Sequence, residues 1–230
     1  CDGETGIVDA RTPQCEEDLL SYLQSQNIGK PKYIFATHPH ADHIGSMAAV
    51  VDTFGCENFI MPEMVSYTQT FENMLSSVEQ AGCQTAYGVA GDTFTLGDAQ
   101  LKLLWPTEGF DTSDPNEISL VLQVTYGEYS FLLTGDAGKD AEEGFLSQVQ
   151  PVTVLKAGHH GSDTSSTEAF LQKAQPEYVV ISVGAGNSYG HPSPAMLERL
   201  DENCQVLRTD EKGSIVFTVK EGELHVSTAR

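Results

Sequence analysis

The spacing of apolar positions changes period several times along the chain, and each change marks an element. Residues 5–9 read as a strand. Residues 15–26 read as a helix with Leu19, Leu20 and Leu23 on one face and Gly29 beyond its end. A short strand over 32–37 precedes a helix carrying Met47, Val50, Val51 and Phe54 at helical spacing and stopped by Gly55. Residues 58–61 suit a buried strand, and 65–80 another helix with Phe71, Met74, Leu75 and Val78 inward. From Cys83 the period becomes two. Phe94 and Leu96 alternate, Gly97-Asp98 turns, and Leu101 and Leu103 alternate again up to Trp105-Pro106.

After a polar loop over 107–115, strands over 118–126 and 129–133 form a hairpin around Gly127-Glu128. A helix follows Asp136 to residue 148, then a buried strand over 152–157. A helix over 167–174, a strand over 178–183, a loop over 184–194 and a helix over 195–200 come next. Strands over 205–208, 214–220 and 224–227 are expected to close the sheet. Strands alternating with helices, without repeat or linker, predict one layered α/β domain over residues 1–230.

Composition changes this picture in two ways. Thirty-three acidic residues against twelve Lys and Arg give a formal net charge of −21, a surface that repels polyanions at long range. The five cysteines, Cys1, Cys15, Cys56, Cys83 and Cys204, contain no C-x-x-C pair, so zinc-finger and thioredoxin-like chemistry are unsupported. No apolar run reaches the roughly 20 residues of a membrane span.

The chemistry is concentrated in Thr37-His38-Pro39-His40-Ala41-Asp42-His43-Ile44-Gly45, directly after an apolar strand. In extended backbone His38 and His40 point to one side. Asp42 and His43 follow at a helix start and reach the same space from another direction. Neutral imidazole and carboxylate are ligands of zinc and neighbouring divalent metals. An exposed polar loop is the alternative, and this spacing favours metal.

The H-x-H-x-D-H motif resembles that of the metallo-β-lactamase superfamily, and most of all the hydrolase domain of DNA-uptake channel proteins of the ComEC/Rec2 type. The likeness also rests on Asn116-Glu117-Ile118-Ser119, Thr134-Gly135-Asp136, Leu155-Lys156-Ala157-Gly158-His159-His160-Gly161, Asn187-Ser188-Tyr189-Gly190-His191-Pro192 and Arg208-Thr209-Asp210, all in the family's order. It implies a four-layer αββα sandwich and two divalent metal ions, zinc first and manganese as the alternative. In such a site His38 and His40 hold one metal, and Asp42 and His43 the other. Asp136 bridges both, a helix N-cap being its other reading. One of His159 and His160 completes the second metal, His159 being favoured as the first to leave its strand. His191 contacts phosphate or protonates a leaving group. Lys156 offers a cation to the same oxyanion or points to solvent. His225 is a bystander.

Two departures stand out. The family's opening strand with its D-V-G-Q-G-like turn has no match, and the D-x-G turn becomes Asp9-Ala10-Arg11; the chain is expected to be a domain excised from a longer protein. Asn116 stands where most dinuclear relatives have histidine, either as a weaker, harder ligand or as a turn residue after Asp114-Pro115. The resemblance implies phosphodiester hydrolysis by a water shared between two metals, with single-stranded DNA as substrate and the rest of a membrane channel protein as partner, at an extracytoplasmic or cell-surface location. The charge speaks for a smaller or cell-wall-linked phosphodiester, such as a phosphorylcholine ester. Thioester or β-lactam cleavage and a non-catalytic, metal-stabilised strand guide are the rivals.

Overall fold

The structure, a computed structural model, describes residues 1–229, which form two compact units, one up to Leu120 and one from Val121 on. The first unit contains β1 (Gly6–Val8), α1 (Glu16–Ser25), β2 (Tyr33–Phe35), α2 (Ala41–Ile44), α3 (Met47–Phe54), β3 (Asn58–Met61), α4 (Gln69–Gln80), β4 (Gln84–Tyr87), β5 (Thr93–Leu96) and β6 (Ala99–Trp105). Strands β1 to β4 pair in sequence order and all in parallel, with Ile7 opposite Ile34, Ile34 opposite Phe59 and Phe59 opposite Thr85. Parallel neighbours need crossovers, which helices α1, α3 and α4 supply.

Alternation along β2 sorts its side chains. Ile34 enters a buried cluster with Met47, Val50, Val51, Phe59, Phe71 and Met74, against which Leu19, Leu20 and Leu23 of α1 pack. Tyr33 and Phe35 face the other way and meet the ring of Phe94 on β5 at 5.3 and 5.4 Å. The helix expected over 65–80 begins only at Gln69, because Thr68 caps it by accepting from the Phe71 amide at 3.3 Å. Val65 accordingly lies outside the helix and is 76% exposed. Leu75 is 36% exposed rather than inward, since it sits at the margin of the stripe made by Phe71, Met74 and Val78.

The second unit contains β7 (Val121–Tyr126), β8 (Tyr129–Leu133), α5 (Lys139–Phe145), β9 (Val154–Lys156), α6 (Glu168–Ala174), β10 (Tyr178–Ile181), α7 (Pro194–Leu197), β11 (Gln205–Arg208), α8 (Thr209–Lys212), β12 (Ile215–Lys220) and β13 (Glu223–Thr228). Strands β7 and β8 form the expected antiparallel hairpin, and β8, β9, β10 and β11 follow in parallel order. Phe145 of α5 and Phe170 of α6 meet edge to face at 5.7 Å and are fully buried. The last two strands do not close this sheet. Among the described residues they form a two-stranded sheet of their own, and Phe217 lays the hairpin onto Phe131 of β8 and Tyr178 of β10 at 6.0 and 5.5 Å. Among the described residues no helix is long and apolar enough to cross a membrane.

The carboxyl ends of β2, β8, β9 and β10 lead directly into the loops that carry the candidate site residues, where open α/β sheets place their ligands. The short helix α8, absent from the sequence expectation, is pinned by Arg208. Its guanidinium donates to both Asp210 oxygens at 3.1 and 2.7 Å and lies 3.2 Å from Glu211. This hydrogen-bonded pairing outweighs partial burial and holds the Asp210 carboxyl below the ordinary aspartate range. The stabilisation is therefore present above the unfolded-state pKa and lost as pH falls through the lower folded value. Arg208→Gln is expected to lower the unfolding free energy by about 0.5–1 kcal/mol at pH 7 and by progressively less below about pH 4, measured by urea unfolding.

Candidate metal centre

In the first unit, three imidazoles gather at the end of β2. The His38 and His43 ring centroids are 4.1 Å apart and those of His38 and His40 4.8 Å apart. His40 is extended and caps α2, so the backbone runs straight through His38 to His40 and then coils, which carries Asp42 and His43 into the first turn. His38 and His43 are buried, whereas Asp42 is exposed. The turn is tight at Gly45: a Cβ there would lie 2.3 Å from both the Ala41 oxygen and the Pro13 ring, so only glycine fits.

The ring nitrogens are individually oriented. His43 Nδ1 lies 2.6 Å from Asp9 Oδ2, the kind of contact by which a carboxylate orients a metal-binding imidazole. Asp9 also accepts from the Thr37 amide and hydroxyl, both at 2.8 Å. Burial pushes the Asp9 carboxyl up, but the His43 and His38 imidazoles and the Thr37 donor outweigh it and hold the carboxyl below its ordinary range. The Thr37 hydroxyl stands 3.1 Å from His38 Nδ1, while His38 Nε2 faces His40 Nδ1 at 3.1 Å. Two nitrogens bound tetrahedrally to one zinc ion at 2.0–2.1 Å would be about 3.3 Å apart, so this pair fits a shared ion. Arg11 stands two residues after Asp9 at φ 56°, so the altered turn keeps a left-handed residue without glycine.

Asn116 sits in a turn that Asp114 begins. Its amide donates to Asp114 Oδ1 at 2.9 Å, as in an Asx turn, yet its side-chain Oδ1 is buried without a hydrogen-bond partner among the described residues. The segment that follows runs beside the metal loop, with the Leu120 amide donating to the Thr37 oxygen at 3.0 Å.

In the second unit, Asp136 follows β8 and is only 2% exposed. The N-cap of α5 is Gly138, two residues beyond Asp136. Beside it, Lys156 donates to the Gly135 and Ala157 carbonyls at 2.8 and 3.1 Å, and its ammonium stands 3.9 Å from Asp136 Oδ1. The side chain thus points neither to solvent nor freely outward, but ties the turn that carries the carboxylate.

His159 and His160 both have left-handed backbone, at φ 46° and 54°, a conformation that ordinary residues keep only where their surroundings enforce it. This geometry turns His160 toward Asp136, with Nε2 3.5 Å from Oδ2 and Nδ1 2.7 Å from the Ser182 carbonyl. His159, the residue favoured from chain order, instead places Nδ1 3.4 Å from the Thr164 hydroxyl and its ring 5.7 Å from His191. Gly161 must be glycine, since its φ is 83° and a Cβ would meet Pro192 at 2.8 Å. His191 is fixed by Asn187, whose side chain accepts from the His191 amide at 3.1 Å and donates to its carbonyl at 2.7 Å. Its ring Nδ1 is buried without a hydrogen-bond partner among the described residues. Burial, then the like charges of His159 and His160, lower its pKa against the pull of Asp136 and Asp163. His225 sits on the exposed β12–β13 hairpin, 4.0 Å from Glu223.

These features define the class. The profile of the metallo-beta-lactamase superfamily matches residues 5–185, and the chain belongs to that superfamily and has its α/β fold. Its members are typically metal-dependent hydrolases. ComE operon protein 3 of Bacillus subtilis is 32% identical over 208 residues, covering 89% of this chain and 27% of that protein. Recombination protein 2 of Haemophilus influenzae is 28% identical over 216 residues, covering 94% of this chain and 26% of that protein. The chain thus spans about a quarter of the length of these relatives. The resemblance to proteins of the ComEC/Rec2 type read from the ordered motifs is borne out by these homologues. Among solved structures, the metallo-beta-lactamase fold protein YhfI from Bacillus subtilis matches at a TM-score of 0.59 over 99% of this chain and 89% of that one. At 11% identity it speaks for the fold alone.

Proposed function

We propose that the chain is a metal-dependent phosphodiesterase that cleaves a nucleic acid strand. The observation that carries this reading is the His38–His40–His43 cluster, in which Asp9 orients the His43 ring and Thr37 the His38 ring in the manner of metal-binding imidazoles, while His40 Nδ1 faces His38 Nε2. In this reading His38, His40 and Asn116 would hold one divalent ion and Asp42 and His43 the other, with Asp136 and His160 offered as ligands by the second unit. His160 takes the ligand role in preference to His159 because its Nδ1 is already engaged by a carbonyl. Such ions, when bound, supply Lewis acidity and a water acidic enough to react near neutral pH. An amide oxygen at Asn116 weakens the first position and favours manganese relative to zinc there.

The remaining residues position and stabilise. Asp9 fixes the His43 ring, and Lys156 fixes the turn that carries Asp136. His191, whose lowered pKa leaves little proton to give at neutral pH, offers a hydrogen bond to a phosphoryl oxygen rather than a proton to the leaving group.

The net charge of −21 supports a second reading, a small or cell-wall-linked phosphodiester. The test is turnover by protein loaded with zinc or manganese, on a single-stranded oligonucleotide and on bis(p-nitrophenyl) phosphate. Cleavage of both is expected. Cleavage of the small ester alone selects the second reading, and cleavage of neither by metal-loaded protein rules out both.

A further inference from the structure

Tyr189 is 82% exposed in a loop that is otherwise tied down. Asn187 accepts from the Tyr189 amide at 3.2 Å as well as from the His191 amide, so the two rings are carried on one braced turn. The Tyr189 ring lies nearly parallel to His191, with planes 16° apart and centroids 6.0 Å apart, and His191 in turn adjoins His159. The loop thus exposes a large aromatic ring to solvent beside the partly buried His191 imidazole.

Charge sharpens the point. With twelve Lys and Arg against thirty-three acidic residues, the protein has few cations with which to hold a phosphate backbone. A strand that binds such a surface has to be held by uncharged contacts, and the aromatic face is the contact every nucleobase accepts.

We propose that Tyr189 is a positioning and specificity-determining residue that stacks on an unpaired nucleobase of the substrate strand and sets the adjoining phosphodiester beside His191. This rests on the phosphodiesterase reading above. A base within a duplex has both faces covered by its neighbours, so the residue selects single strands.

The test compares an oligodeoxythymidylate with an abasic strand of equal length, using metal-loaded full chain. Tyr189→Ala is expected to raise KM for the thymidylate about tenfold, with kcat roughly unchanged, and to leave the abasic strand unaffected. Tyr189→Phe and Tyr189→Trp keep the wild-type KM, because the ring and not the hydroxyl is used. Melting temperature checks that the exposed substitution leaves the fold intact. If wild type cleaves the strands and Tyr189→Ala changes neither KM, or changes both equally, the stacking role is wrong while phosphodiester cleavage stands. Equal losses in the Phe and Ala variants also overturn it. If wild type cleaves neither strand, the phosphodiesterase reading fails and takes this role with it.

Discussion

Replacing Asp136 with asparagine is expected to lower kcat/KM toward bis(p-nitrophenyl) phosphate about a thousandfold. The carboxylate is almost completely buried and lies two residues before Gly138, the N-cap of α5. Asparagine keeps the volume and one carbonyl oxygen but cannot present a charged oxygen to each of two ions. Losing charge stabilisation of several kcal/mol at such a site corresponds to roughly three orders of magnitude in rate. The neighbours Lys156 and His160 keep their carbonyl partners in the variant, so the turn has reason to hold its shape. Elemental analysis should find fewer ions per chain, while the melting temperature measured without added metal stays near that of wild type. Binding of a labelled oligonucleotide separates the non-catalytic rival: hydrolysis lost with binding retained removes a mere strand guide. A variant that keeps more than about a tenth of wild-type activity would show that Asp136 does not bridge.

What the sequence could and could not reveal follows the range of each interaction. The His38–His43 cluster is legible because its chemistry sits within six residues and its geometry is set by a strand running into a helix, as observed at β2 and α2. Asp136 was a poorer case. The tripeptide Thr134-Gly135-Asp136 is as good a helix start as a ligand loop, and only the first residue of α5 at Lys139 separates the two. The choice between His159 and His160 turns on two left-handed residues in succession, which no propensity scale anticipates. Alternation in the last two strands marks them as strands but carries no information about which neighbours they take; Phe217, through its contacts with Phe131 and Tyr178, decides that they stand apart as a hairpin. Asp9 could be placed beside the site by analogy, yet its bond to His43 spans 34 residues. That bond exists because β1 and β2 pair with Val8 opposite Phe35, a register that hydrophobic period alone leaves open.

The same bond carries the second large effect. Asp9→Asn is expected to weaken metal binding and lower kcat/KM at limiting metal by about 10- to 100-fold. The native carboxylate accepts at both oxygens, Oδ1 from the Thr37 amide and Oδ2 from the Thr37 hydroxyl and His43 Nδ1. An amide has one acceptor, so whichever way it is turned its NH2 group meets a donor. If it faces the Thr37 amide, the loop start is disturbed. If it faces His43, the imidazole is driven to the tautomer whose proton sits on Nε2, the atom needed for the ion. Calorimetric titration with Mn2+ measures the first effect, and activity against metal concentration the second. Because Asp9 acts through His43, saturating metal should restore much of kcat in Asp9→Asn, whereas no metal concentration restores it in Asp136→Asn. Unchanged metal affinity in Asp9→Asn would reduce Asp9 to a structural tie between β1 and the Thr37 loop.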